Sequence, residues 1–311
     1  KLSFSNVGAA RFNTVVSNLG PIRCYIFSSH YFPDHYLAQN ESMDALMTTF
    51  YLLLVALIQG ITEFLPVSSS GHLILLPQLS GQQDQGQVID VAAHVGTLLA
   101  VILYFWSDVR LALAGTLRLM RGKVDTQGAF LALCLLIATI PVIIVGLILK
   151  VTGLADMMRG IAVLGWSMLI FGIVLYWADQ KGPVTRTAEQ WTLKHAITMG
   201  LWQCIALIPG TSRSGITITA ARTLGYNRSD AARLSMLMSI PTIIASAALL
   251  SLDVIGTQNV LGDIAIVAAM SFIAALFALV LMMKLLQSVS FTPYVIYRVI
   301  FGCFLLWLAY A

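Results

Sequence analysis

The chain has 311 residues, 58% of them hydrophobic and only 10% charged, with a mean hydropathy of +0.85. Soluble domains carry about a quarter charged residues, so this composition excludes a soluble globular domain and predicts an all-α polytopic membrane protein. The net charge of +4 says little in total and more in its distribution among the loops; no nucleic-acid partner is expected, and a homodimer is left open.

Residues 1–42 are mixed in polarity and lack the continuous apolar core of a signal peptide. They read as a disordered leader or a misassigned start, with no function placed there. Met43 opens the single integral-membrane domain expected over 43–311 with MDALMTTFYLLLVALIQG. The stretch that follows is apolar to Leu57, takes up Gln59 and Glu63, breaks at Pro66, and continues as Ser68, Ser69, Ser70, Gly71 and His72 before stopping at Pro77. Its second arm is about nine residues, roughly 14 Å as helix. That is half of a bilayer, so the chain is predicted to turn back as a re-entrant hairpin.

A spanning helix needs about 20 apolar residues. Six segments qualify: Val88–Trp106, Gly128–Leu149, Ile161–Trp177, Ala232–Leu250, Gly262–Leu285 and Pro293–Leu308. A second interrupted region, Ala196–Leu224, breaks across Pro209 to Gly215. The two breaks resemble each other: Gln59 and Gln203, Ser68 and Ser212, and Gly71 and Gly215 are each 144 positions apart. Three spans follow each break, and an odd number inverts the second copy. The expected plan is therefore an inverted-topology repeat, one copy about 43–178 and the other about 195–311, with broken helices meeting near the midplane. Cys24, Cys134, Cys204 and Cys303 have neither paired nor metal-like spacing, and no disulfide framework is expected.

Loop charge sets the orientation. Arg110, Arg118, Arg121, Lys123, Lys181, Arg186, Lys194, Arg222, Arg228 and Arg233 fall on one side, whereas the other has little beyond Lys150 and Arg159. By the positive-inside rule the first side is cytoplasmic. The termini and the mouth of the first break then face the periplasm of a bacterial inner membrane. Arg298, near the start of the last span, is expected to snorkel to the cytoplasmic surface. His94, in mid-span, is expected to be a helix–helix hydrogen-bond partner, with a place lining the cavity as the alternative.

Ionisable groups at membrane depth usually mark a functional site. Gln59 and Glu63, four residues apart, project from one helix face. Ser68, Ser69 and Ser70 stand where the next half-helix begins, and His72 lies in its first turn. In the second break Thr211, Ser212, Ser214 and Thr217 surround Arg213, again at a helix start. Free backbone N–H groups, a positive dipole end and a guanidinium fork suit a phosphate or diphosphate. A serine with a neighbouring histidine can act as a nucleophile with its base. Glu63 can orient that histidine or, with Gln59, hold a divalent metal.

These residues carry a resemblance. Gln59 to Glu63 followed by Pro66-Val67-Ser68-Ser69-Ser70-Gly71-His72, and the run from Pro209 to Thr217, resemble the two signatures of the undecaprenyl-diphosphatase family, the bacitracin-resistance phosphatases of bacterial inner membranes. The similarity runs from Met43 to the C-terminus. Many members carry Glu where this chain has Gln59, which leaves one carboxylate rather than two. The resemblance implies removal of the terminal phosphate from undecaprenyl diphosphate, which recycles the lipid carrier of peptidoglycan synthesis. It also implies dependence on a divalent cation, Mg²⁺ or Ca²⁺. Glu63, Ser69, His72 and Arg213 match residues needed for activity, with Ser212 and Thr217 in the binding motif. The expected mechanism has Ser69 attack phosphorus while His72 takes its proton; phosphohistidine and metal-bound water are the alternatives. The rival class is a lipid-phosphate flippase or secondary transporter, which needs Arg213 and the serines but no nucleophile–base pair.

Overall fold

Backbone placed in hydrocarbon must satisfy its own hydrogen bonds, and a helix does so within one segment. The computed structural model describes residues 34–81, 85–251 and 261–311. It comprises two units, Lys1–Phe50 and Tyr51–Ala311, and the second is described below. Apart from one bridge between Arg186 and Tyr226, the regular structure of the described residues is helical. The expectation for residues 1–42 lies mostly outside the described residues; helix α1 (Asp34–Phe64) begins inside that segment.

Six helices are long and apolar enough to cross a membrane: α3 (Gly86–Tyr104), α5 (Gln127–Thr152), α6 (Ile161–Lys181), α9 (Arg228–Ser251), α10 (Leu261–Leu285) and α11 (Thr292–Tyr310). These are the six expected spans, so the chain is a multi-pass, all-α membrane protein. Five run slightly past the expected bounds. The sixth, α3, ends two residues early because Phe105 leaves helical geometry and starts a separate helix, α4 (Trp106–Leu119).

Two broken helices complete the bundle. In the first, α1 leads through a turn to α2 (Ser69–Ser80); in the second, α7 (Leu193–Gln203) passes through a 3₁₀ turn and a break to α8 (Arg213–Thr223). Pro77 does not stop α2, as the sequence suggested. The helix runs through it to a left-handed Gly81 at φ 67°, giving 12 residues, about 18 Å and still well short of a bilayer. The main helix pairings are α3 with α10, α6 with α11, α4 with α5, α5 with α7, α3 with α9, and α8 with each of α6, α7 and α9.

Apolar surface does not drive helices together in lipid, so close packing must. Gly96 of α3 lies so near α10 that a Cβ would come within 2.2 Å of the Ala268 carbonyl, and Ser271 of α10 donates to Ala93 O at 2.9 Å. Leu99, Leu103, Ile144, Ile148, Ile173, Phe277 and Ile300 point outward, as lipid-facing side chains do.

One end of the bundle is fastened by charge. Asp179 of α6, almost fully buried, accepts from Arg222 Nε at 3.2 Å and Arg228 Nε at 2.8 Å. Asp108 of α4 accepts from Arg233 at 2.6 and 3.0 Å. Arg222 also donates to the carbonyls of Asp179, Gly182 and Tyr226. Three of the loop arginines thus pair with buried aspartates, Arg222 itself buried and Arg228 and Arg233 half-buried. Cys134, Cys204 and Cys303 are free thiols, and Cys24 lies outside the described residues.

Candidate active site

Each break turns on a serine held in left-handed backbone: Ser68 at φ 72°, ψ 99° and Ser212 at φ 69°, ψ 114°. They are the two described residues other than glycine with positive φ. Such geometry costs an L-residue about 1–3 kcal/mol and persists only where surroundings hold it. Here the surroundings are the opposite break. Ser214 Oγ donates to Leu65 O at 3.0 Å, and Gly210 N donates to Ser70 Oγ at 3.4 Å. Within each break the two flanking serines bond at 3.1 Å, Ser68 with Ser70 and Ser212 with Ser214. The tips are therefore stitched to one another.

Glu63 sits at the centre. Its side chain is 8% exposed and accepts three hydrogen bonds: Arg213 Nη2 on Oε1 at 2.9 Å, Gln59 Nε2 on Oε2 at 2.8 Å and Ser69 Oγ on Oε2 at 3.1 Å; His94 Nε2 stands 4.0 Å from Oε2. So Gln59, Glu63, Ser69 and Arg213 come together as the sequence predicted. A cavity of about 740 Å³ opens over them, floored by Glu63, Ser68, Ser69, Ser70, Ser212 and Arg213 and walled by Val142, Ile143 and Leu147 of α5 and Ile243, Ala245 and Leu249 of α9. The cavity is polar at its base and apolar along its walls.

Several expected site residues stand elsewhere. His72 does not bond Ser69. Its Nδ1 meets Ser68 O at 2.8 Å and its Nε2 meets Tyr297 OH at 2.5 Å, while the ring stacks on Phe301 with centroids 4.6 Å apart. A carbonyl only accepts, so Nδ1 carries the proton and Tyr297 donates to Nε2. Both nitrogens are occupied, and the imidazole faces α11 rather than the cavity. Thr217 is fully buried and bonds Ser235 Oγ at 2.6 Å, which fastens α8 to α9 and takes it out of the binding surface. Gly71 packs near Met168 Sδ and Phe301, and Thr211 and Ser214 lie behind the floor, buried.

Other residues belong to the site without having been assigned to it. His94 gives Nδ1 to Asp90 O at 2.7 Å, which leaves Nε2 directed at Glu63 and the cavity. The sequence signal is an ionisable group in an apolar span, and the structure favours the cavity-lining alternative over a helix–helix hydrogen bond. Gln203 lines the cavity and donates to Thr242 at 3.2 Å; its match to Gln59 was visible in the repeat. Arg298 does not snorkel. It is fully buried against both breaks, with its fork on the carbonyls of Pro66, Gly210 and Thr211.

The arrangement suits a phosphorylated ligand. Arg213 Nη1 is buried and lacks a partner among the described residues, as do Thr211 Oγ1, Gln59 Oε1 and Gln203 Oε1. Ser68 makes no side-chain cap on α2, so the first N–H groups of that helix stay available where the dipole favours an anion. Ser69 Oγ against a carboxylate, beside that anion site, pairs a nucleophile with a base.

Comparison with known proteins agrees with this geometry. Residues 52–304 match the family described as bacitracin resistance protein BacA. An undecaprenyl-diphosphatase of Roseobacter denitrificans is 70% identical over 267 residues, covering 85% of this chain and 100% of that protein. One of Dinoroseobacter shibae is 69% identical over the same shares, and one of Maricaulis maris is 46% identical over 84% of this chain and 98% of its own length.

Proposed function

The chain belongs to the bacitracin resistance protein BacA family, and from that membership we infer that it is an undecaprenyl-diphosphatase. It hydrolyses undecaprenyl diphosphate to undecaprenyl phosphate and inorganic phosphate, returning the lipid carrier to peptidoglycan synthesis and conferring bacitracin resistance. The observation that carries the chemistry is Ser69 Oγ hydrogen-bonded to Glu63 at 3.1 Å, with Arg213 on the same carboxylate at 2.9 Å.

In the mechanism we propose, the diphosphate head reaches the cavity floor and the prenyl tail lies along the apolar walls of α5 and α9. Arg213, through the unpartnered Nη1, and the N–H groups opening α2 and α8 hold the phosphate oxygens. Ser69 Oγ attacks the terminal phosphorus in line. The new Oγ–P bond forms as the bridging P–O bond breaks, Glu63 takes the hydroxyl proton, and undecaprenyl phosphate leaves. The released undecaprenyl phosphate takes that proton from Glu63; water then attacks the phosphoserine, Glu63 moves the water's proton to Oγ as the Oγ–P bond breaks, and phosphate departs with Ser69 restored. Glu63 replaces His72 as the base because His72 has both nitrogens engaged on Ser68 and Tyr297. His72 instead holds the carbonyl of the strained serine in place.

A divalent cation, Mg²⁺ or Ca²⁺, fits this donor set as a partner of the substrate. Among the described residues there is no group of three His, Cys, Asp or Glu side chains. One carboxylate, Glu63, and the unpartnered Gln59 Oε1 are present, and Mg²⁺ is commonly held by one or two carboxylates together with substrate phosphates. Such an ion would neutralise phosphate charge.

We further propose that both broken helices are re-entrant hairpins of an inverted repeat and that the cavity opens to the periplasm. The matched serine conformations support the first part. The arginine-rich end formed by Arg222, Arg228 and Arg233 supports the second.

The test is phosphate release from detergent-solubilised protein with a short-chain prenyl diphosphate. Wild type should release phosphate and Ser69→Ala should not, while ³²P from a terminally labelled substrate should be trapped on Ser69. Label on His72, or on neither residue, would sink the serine route. Binding with no release from wild type would favour a lipid-phosphate carrier.

A further inference from the structure

Arg298 carries a charge that the phosphatase mechanism leaves unused. Its guanidinium donates to five carbonyls: Thr211 at 2.8 Å, Met168 at 3.1 Å, Gly210 at 3.2 Å, Pro66 at 3.3 Å and Ser167 at 3.4 Å. One belongs to the first break, two to the second and two to α6. Among the described residues its ion-pair partners include no carboxylate, whereas the arginines of the charged end rest on Asp179 and Asp108. A buried guanidinium without a counter-ion is costly and rare. Space is made for it on both sides. A Cβ at Gly172 would stand 3.2 Å from Arg298 Cβ and 3.4 Å from Nε, and one at Gly215 would stand 2.9 Å from Nη1.

The placement has two effects on the anion site. In a trans peptide the C=O and N–H point in opposite directions. Drawing the Thr211 carbonyl onto Arg298 therefore turns the Ser212 N–H away from Arg298 at the start of α8. The same fork holds the first break by Pro66 O, so the two strained serines keep a fixed spacing. The uncompensated charge also lies immediately behind both breaks, in surroundings that screen it weakly.

We propose that Arg298 is a positioning residue for the diphosphate site: it pins both breaks by their carbonyls and supplies a positive charge whose counter-ion is the substrate's own phosphate. This rests on the phosphatase reading above. It makes Arg298 act through the backbone of the two breaks, whereas Arg213 contacts the ligand.

The experiment compares solubilised full-length wild type, Arg298→Gln, Arg298→Lys and Gly172→Ala. For each, kcat and KM are measured with a short-chain prenyl diphosphate, alongside inhibition by inorganic pyrophosphate and the thermal midpoint. In Arg298→Gln, which loses the charge, KM and the pyrophosphate inhibition constant should both rise at least about tenfold. Arg298→Lys keeps the charge and loses the fork, so inhibition should stay within about threefold of wild type while kcat falls at least about tenfold. Gly172→Ala, remote from the ligand, should raise KM a few-fold by moving Arg298. Folded Arg298→Gln with wild-type constants, or Lys and Gln variants that differ only in thermal midpoint, would overturn the proposal. If Arg298→Gln does not fold, unchanged KM and inhibition in a folded Gly172→Ala would overturn it equally. If wild type releases no phosphate, the phosphatase reading falls first. The thermal shift produced by pyrophosphate, lost in Arg298→Gln or retained, then decides the role of Arg298 separately.

Discussion

The two breaks share one backbone and divide the labour by side chain. Ser68 and Ser212 differ by only 3° in φ, and each is bridged at 3.1 Å to the serine two places on. Between those serines one break places Ser69 and the other Arg213; five residues before the strained serine one has Glu63 and the other Leu207. The second break is also capped, Gly215 N donating to Ser212 Oγ at 3.1 Å, whereas Ser68 caps nothing. A helix start with a spent cap holds a fixed cation. Its unspent twin keeps N–H groups and a hydroxyl open to a ligand. In the proposed mechanism a single backbone device thus serves binding on one side and bond-making on the other.

The comparison can be broken most severely at the residues where the breaks differ. Ser69→Ala and Glu63→Gln should each lower phosphate release by about 10³-fold or more while pyrophosphate binding persists. Arg213→Lys should lose about 10²-fold with weaker pyrophosphate binding, because an ammonium cannot present the fork. A reversed pattern, with binding lost at Ser69 and kept at Arg213, would exchange the roles assigned to the two sides.

A smaller effect is expected at His72. In His72→Asn the amide can still donate to Ser68 O, so turnover should exceed that of His72→Ala by about tenfold, since a donor to a strained carbonyl is retained. Equal, complete loss in both would mean that the imidazole itself exchanges protons. Smaller again is the cap. Ser212→Ala should destabilise the protein by about 1 kcal/mol and Ser68→Ala by less, read as the difference between their melting temperatures. Equal losses would show that the apparent asymmetry of capping has no energetic weight.

The smallest effect lies away from both breaks. Arg118 donates to Asp125 at 2.5 and 2.8 Å outside the spans, and this hydrogen bonding holds the Asp125 carboxyl below the ordinary carboxylate range. A carboxylate whose pKa is depressed on folding stabilises above its unfolded pKa, and that contribution fades as pH falls through the lower folded value. Arg118→Ala should therefore shift the melting temperature slightly at neutral pH and not at all in acid. The pair is exposed at the surface, so even the neutral-pH shift should be small.

The six spans were legible because a bilayer demands long apolar runs, and both breaks because proline followed by serines interrupts those runs. The 144-residue match between Ser68 and Ser212 was legible too, and it now corresponds to matching φ. What the sequence did not reveal is which way each helix turns about its axis. His72 lies in a half-helix and His94 in a full span, yet Phe301 and Tyr297 take the first away from the cavity while the Asp90 carbonyl orients the second into it. The choice at His72 depends on a neighbour 225 positions distant, and the choice at His94 on how α3 is turned about its axis. Arg298 escaped for the same reason: nothing beside it in the chain announces that Gly172 and Gly215 leave room for a guanidinium. Pro77 shows the converse, a local breaker signal overridden by a helix that continues to Gly81.

The serine bonds that cross from one tip to the other give the floor of the cavity joint ownership. The first half of the chain carries Ser69 and Glu63, and the second carries Arg213 and Arg298. Neither fragment, made alone, contains a complete reaction centre, and either one would leave its strained serine without the partner that keeps it in place. Co-production of the two pieces is therefore the minimum from which catalysis can be reassembled.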